Sequence, residues 1–292
     1  MSHHHHHHAA GNIKIVFFLN LSFTLLEIVG GLWTNSIAIL SDALHDLGDS
    51  VALGLSWYLA NVSQKKRDDK FSYGYKRFSL LGALISSLIL LVGSTIILFE
   101  AIPRLFHPEN VHVEGMIFLA ILGVAVNGAA VLRLRSGSTQ NERVVMLHLL
   151  EDALGWIAVL IVAVVMLFVN LPVLDPILSV AITFYILWNV FKNLRETVNV
   201  FLQSIPSNMD TAQLETILIE KLPIISIHDW HLWTMDGEYH VLSFHVVVAD
   251  KLPSDEIVRL KKQIRDTLKQ HNIQHTTIEI EYENEFCGLV DC

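Results

Sequence analysis

From about Ile13 to Phe191 the chain alternates long apolar runs with short polar links. The runs are about Ile13 to Trp33, Ser36 to Val62, Phe78 to Ile102, Val113 to Leu134, Val144 to Val169 and Pro172 to Phe191. Each is long enough to cross a hydrocarbon core about 30 Å thick, so the pattern predicts six membrane-spanning helices, the third stopping at Pro103. From about Met209 the period changes. Asp210 is placed to cap a helix through about Lys221, with Pro223 behind it. Ile227 to Thr234 and His240 to Val248 read as strands joined by a turn carrying Asp236-Gly237. A helix capped by Ser254 runs to about Gln270, and Thr276 to Tyr282 alternates as a third strand. The expected fold is an all-α six-helix transmembrane domain over residues 11–205, then a small α+β domain over 206–292. The small domain has αββαβ order, ferredoxin-like, with both helices on one face of the sheet. It is small enough to be a candidate for pairing with a second copy.

Composition supports that division. The chain has 292 residues, is 52% hydrophobic and has a mean hydropathy of +0.46, too apolar for an ordinary soluble domain. The net charge of −9 arises largely in the C-terminal third and argues against nucleic-acid binding. Met1 to about Ala10, with its run His3 to His8, reads as an expression tag and carries no metal argument. Lys14, the link from Ser63 to Arg77, the residues Arg133, Arg135 and Arg143, and Lys192 with Arg195 fall on one side of six crossings, against Arg104 on the other. Both termini are therefore expected in the cytoplasm. Cys287 and Cys292, at the reducing end, are expected as thiols rather than a disulfide.

The second run contains residues that a membrane span resists. Asp42, His45 and Asp49 share one helical stripe, while Asp46 points away from that stripe by about a quarter turn. The fifth run repeats the H-x-x-x-D device as His148 and Asp152. Interhelical hydrogen bonds or vestibule hydration would explain one lone histidine in a span. Two such pairs favour a metal, because facing stripes gather two imidazoles and two carboxylates. Two nitrogens and two oxygens suit tetrahedral Zn²⁺, with Cd²⁺, Co²⁺, Mn²⁺ and Fe²⁺ still open. Metal must displace the imidazole proton, so loading competes with protonation, the minimum physics of metal/proton antiport. An intramembrane metallohydrolase is a rival reading, but the chain lacks H-E-x-x-H. A membrane receptor that senses metal without moving it is another. Glu27 with Asn20, Asn127 and Asp175 read as packing and hydration residues, Glu27 being the one most expected to matter. His107 and His112 read as loop residues.

The ordered motifs resemble the cation diffusion facilitators, in their zinc-transporting branch. They are Gly31-Leu32-Trp33-Thr34-Asn35-Ser36, Ser41-Asp42-Ala43-Leu44-His45 with Asp49, Tyr73-Gly74-Tyr75-Lys76-Arg77, His148 with Asp152, Asp175-Pro176, and His228-Asp229-Trp230-His231-Leu232-Trp233. The resemblance implies a homodimer in the cell membrane that exports Zn²⁺ by alternating access in exchange for protons, not an enzyme. It implies His45, Asp49, His148 and Asp152 as transport ligands, and His45 as favouring Zn²⁺ over Cd²⁺. Ser79 stands where the family usually has glutamate, and Ser136 to Asn141 lacks the histidines some relatives carry there. In the small domain His228, His245 and Glu281, with His275, match residues that bind cytoplasmic zinc in relatives. Cys287 and Cys292 match a terminal cysteine pair in some of them. His240 and His271 read as solvated, and His231 as a packed strand residue. Asp42 stays open between a partner of the ligands and a structural cap.

Overall fold

The computed structural model describes residues 21–134, 140–249, 252–285 and 287–288. Its helices are α1 (Leu21–Thr34), α2 (Ile37–Ser63), α3 (Phe78–Phe106), α4 (Val113–Leu134), α5 (Gln140–Phe168), α6 (Leu174–Phe201), α7 (Thr211–Lys221) and α8 (Ser254–Gln270). The strands are β1 (Ser226–Thr234), β2 (His240–Val248) and β3 (Ile273–Tyr282). The described residues fall into two units, one over residues 21–59 and 82–194, the other over residues 60–81 and 195–288.

In the first unit, four helices (α3 to α6) have stretches long and apolar enough to cross a membrane. Only 28–33% of those stretches is buried inside the protein, so most of their apolar surface needs lipid to cover it. Val92, Ile96, Phe99, Phe184 and Trp188 are among the exposed residues. α2 is 27 residues long, but Asp42, His45, Asp46 and Asp49 break its apolar character. The part of the first expected span before Leu21 lies outside the described residues.

Two helix C-termini lie well past expectation. α3 runs past Pro103 to Phe106, and the His107 amide donates to the Pro103 carbonyl at 2.9 Å. A proline in the last turn forgoes one intrahelical donor, a loss too local to break the helix. α6 continues beyond Phe191 to Phe201, because the drop in hydropathy there ends the apolar run without ending the helix.

One core cluster joins Ile39 of α2, Met116, Leu119 and Ala120 of α4, and Trp156, Val159 and Ala163 of α5. α2 and α3 meet through a reciprocal fit: a Cβ on Gly48 would strike Leu90, and one on Gly93 would strike Leu44. Small residues allow this close backbone approach in a membrane helix pair. Ser86 Oγ also donates to the Gly48 carbonyl at 2.9 Å.

In the second unit, β1 and β2 are antiparallel while β2 and β3 are parallel, in the order β1-β2-β3. The parallel step follows from connectivity: α8 is a crossover, and a crossover brings the next strand in parallel. Leu214 and Leu218 of α7 share one core with Leu260, Ile264 and Leu268 of α8 and with Leu242, Phe244, Val246 and Val248 of β2. Alternate residues of β2 supply that face. Asp210 caps α7 as expected, accepting from the Gln213 amide at 3.2 Å. Ser254 does not cap α8. Pro253 takes that position without a side-chain hydrogen bond, and Ser254 is the first helical residue. At the β1–β2 turn, Gly237 has φ +92 and Asp236 Oδ1 accepts from the Glu238 and Tyr239 amides.

The link between α2 and α3 belongs to this unit. Asp68 Oδ1 accepts from the Lys70 and Phe71 amides, and the Tyr75 hydroxyl donates to Asp68 Oδ2 at 2.7 Å. The Tyr75 bond, then the two amides, hold the Asp68 carboxyl below its ordinary range. Lys76 Nζ lies 3.8 Å from Asp236 Oδ2 and 4.4 Å from the Tyr239 ring centroid. Tyr73 meets Trp233 and His275 edge-on.

Candidate metal centre

α2 and α5 each carry a histidine and an aspartate four residues apart. That spacing sets both side chains on one helical face. In the folded chain His45, Asp49 and His148 bring ligand atoms within 4.8 Å of one another. Asp49 Oδ2 lies 3.1 Å from His148 Nε2 and 3.7 Å from His45 Nε2, and Asp152 Oδ2 lies 3.8 Å from His148 Nε2. The two imidazole centroids are 6.0 Å apart. Donors held about 2 Å from a tetrahedral zinc stand about 3.3 Å apart, so these three contacts lie close to what such an ion requires. Asp152 falls outside the tight group of three. Its carboxyl is also the more enclosed, with the side chain 4% exposed against 24% for Asp49. His45 Nδ1 and Asp152 Oδ2 are buried without a hydrogen bond. Unsatisfied atoms of this kind call for a ligand, water or ion.

Further carboxylates lie behind this group. Glu27 of α1 and Asp42 and Asp46 of α2 are all buried and act electrostatically on one another and on Asp152. Asp46, about a quarter turn off the ligand stripe, is buried among these carboxyls. Asn127 is buried as well, whereas Asn20 lies outside the described residues. His112 donates its amide to the Thr34 carbonyl and accepts the Gly115 amide at Nδ1, a corner-forming role.

The small domain holds a second group. His228, His245, Glu281 and Cys287 bring ligand atoms within 4.8 Å of one another. The antiparallel register sets His228 directly opposite His245, and β3 brings Glu281 alongside. His245 Nδ1 is 2.6 Å from Glu281 Oε1 and 3.6 Å from Cys287 Sγ, and His228 Nε2 is 3.3 Å from Glu281 Oε2. Two imidazoles, a carboxylate and a thiol form a donor set suited to Zn²⁺.

His275 lies elsewhere. It shares the face of Glu281 by the two-residue repeat but precedes it by six residues, about 20 Å along a strand, and it packs against Tyr73. Cys292 lies outside the described residues. His240 is buried rather than solvated, because the sheet encloses it, and burial pushes its imidazole down against the opposing pull of Asp236.

Asp229 was not singled out by its residue type. A bulge between His228 and His231 puts it at φ +53, and its carboxylate reaches His231 Nε2 at 2.9 Å and His245 Nε2 at 3.4 Å. The signal available in sequence was an aspartate between two strand histidines, where a strand alone would aim it at the opposite face.

Residues 13–202 match the family described as Cation efflux transmembrane domain, and residues 206–283 that described as Cation efflux protein, cytoplasmic domain. A Bacillus velezensis protein named Cadmium, cobalt and zinc/H(+)-K(+) antiporter is 33% identical over 96% of this chain and 92% of its own. Zinc transporter ZitB of Pectobacterium atrosepticum is 32% identical over 97% and 90%. Metal cation efflux system protein CzcD of Cupriavidus metallidurans is 32% identical over 96% and 89%. Likeness along nearly the whole length of each relative, together with both domain matches, shows that the chain belongs to the cation diffusion facilitator family, in its zinc-transporting branch.

Proposed function

We propose that the chain is a zinc/proton antiporter that exports Zn²⁺ from the cytoplasm by alternating access. Export of divalent metal cations is supported by the family and by the names of its relatives. The observation that carries the proposal of zinc/proton exchange is the contact between Asp49 of α2 and His148 of α5 at 3.1 Å, which joins the two H-x-x-x-D pairs across helices. In this reading His45, Asp49, His148 and Asp152 bind the transported ion. The imidazoles of His45 and His148 give up protons when zinc binds and regain them when it leaves. Glu27, Asp42 and Asp46 line the buried protein side of the site, next to Asp152.

The architecture that serves this mechanism has six spans, α1 and α2 joining the four apolar helices, over residues 11–205. Residues 206–292 form a ferredoxin-like domain. The protein is a homodimer in the cell membrane with both termini cytoplasmic. His228, His245, Glu281 and Cys287 bind zinc in a regulatory or dimer-stabilising role.

The test is flux in sealed vesicles. Purified protein should drive zinc uptake coupled to proton movement of opposite direction. Protein that binds zinc yet drives neither flux contradicts the proposal and leaves a metal sensor.

A further inference from the structure

The structure assigns Asp175 as the positioning residue that fixes α2, and with it His45 and Asp49, against α6; this rests on the transport reading above. Asp175 lies in the first turn of α6 and is 1% exposed. It makes no contact with the candidate metal ligands. Its carboxylate instead receives the start of α2: Ser36 Oγ donates to Oδ1 at 2.5 Å, the Ile37 amide to Oδ2 at 2.8 Å, and the Ala38 amide to Oδ1 at 3.4 Å. The first amides of a helix lack intrahelical partners, and a carboxylate also complements the positive end of the helix dipole. A neighbouring residue in sequence usually fills this role. Here it comes from 138 positions away.

A second tie follows along the same pair of helices. Ser41 Oγ and Thr183 Oγ1 lie 2.7 Å apart. Asp175, Ser179 and Thr183, spaced four apart on α6, are all at most 1% exposed and form one polar seam. Two ties on one helix set both its axial height and its rotation. His45 and Asp49 follow Ser36 by about 14 and 20 Å of helix. The ligand contacts span 3.1–3.8 Å, so an axial slip of one residue, about 1.5 Å, is enough to take them out of coordination range.

Capping and tethering separate experimentally. Asp175→Ala removes both. Adding Ser36→Asp restores a carboxylate at the N-cap of α2 itself, where Ser36 Oγ already accepts from the Ile39 amide, but does not restore the tie to α6. Zinc and cadmium transport are measured in vesicles, and equilibrium zinc binding by calorimetry in a His245→Ala background that removes the second group. Hydrogen exchange of amides 37–40 reports the helix end. Asp175→Ala should raise the zinc KM and dissociation constant about tenfold, narrow the preference for zinc over cadmium and speed exchange. The double variant should recover slow exchange alone. Recovery of zinc affinity and selectivity in the double variant, or values within twofold of wild type in Asp175→Ala, overturns the assignment.

Should Asp175→Ala not fold, Asp175→Asn decides, since it keeps the size and one acceptor: a rise of about threefold in the dissociation constant is expected, and no change overturns the proposal. Wild-type protein that binds zinc at this site but moves none refutes the transport reading alone. Wild-type protein that does not bind it refutes both.

Discussion

His148 Nε2 lies nearer to Asp49 on the other helix, at 3.1 Å, than to Asp152 on its own, at 3.8 Å. The site is therefore closed between α2 and α5, and neither helix alone supplies it. Asp49→Asn keeps the volume and removes the charge shared by both histidines. It should weaken zinc binding by more than the ~10–100-fold typical of outer-shell changes and abolish vesicle uptake. His45→Ala and Asp152→Ala should do the same while leaving a folded protein. A variant transporting at the wild-type rate refutes the ligand set.

The reciprocal fit of Gly48 with Leu90 and Gly93 with Leu44 leaves no room for added atoms. Gly93→Ala should destabilise the α2–α3 pair by about 1–3 kcal/mol, the usual range for overpacking. A lowered Tm in detergent would register this, and an unchanged Tm would show that Leu44 moves aside freely.

Zinc held by His228, His245, Glu281 and Cys287 should stabilise the small domain, by about 2.7 kcal/mol at a hundredfold excess over Kd. Chelation should lower its Tm. His245→Ala, which removes a residue that meets both Glu281 and Cys287, should abolish that response, whereas Cys287→Ser should reduce it. Identical melting with zinc and with chelator would count against a metal at this group.

Lys76 binds the α2–α3 link to the β1–β2 turn through Asp236 and the Tyr239 ring, a partly exposed arrangement worth about 1 kcal/mol. Lys76→Ala should expose the link to limited proteolysis. Equal cleavage rates for variant and wild type would show that Tyr73 and the Asp68 turn hold it unaided.

The buried imidazole of His240 is held below its ordinary value, so the unfolded chain takes up its proton first as pH falls. Its contribution to stability is thus present above a pH of about 6.5 and declines below it. His240→Gln should flatten the fall in the small domain's Tm between about pH 7.5 and 5.5. An unaltered pH profile would show that another group governs it.

Much of this arrangement was legible in the sequence, for reasons that also mark its limits. His45 with Asp49 and His148 with Asp152 stood out because ionisable residues are costly in apolar helices and their spacing alone puts them on one face. The strand pair survived to within a residue because Asp236-Gly237 fixes its turn. The burial of Asp46 was not legible, because a helical wheel shows only angle, not the neighbour that covers a second face. His275 was grouped with Glu281 by the resemblance to relatives, and the six-residue separation along β3 keeps it from the group formed here. The role of Asp175 was hidden for a different reason: it depends on a partner helix far away in the chain.

The bulge at Asp229 narrows what that position can become. A left-handed backbone excludes β-branched residues, and a reach to two imidazoles excludes glycine, which accepts the backbone but has nothing to offer them. Asparagine alone combines both abilities, through its own tolerance of that conformation and its carbonyl oxygen. Position 229 therefore accepts few residues, and a saturation screen for zinc tolerance should retain aspartate first, asparagine second and little else.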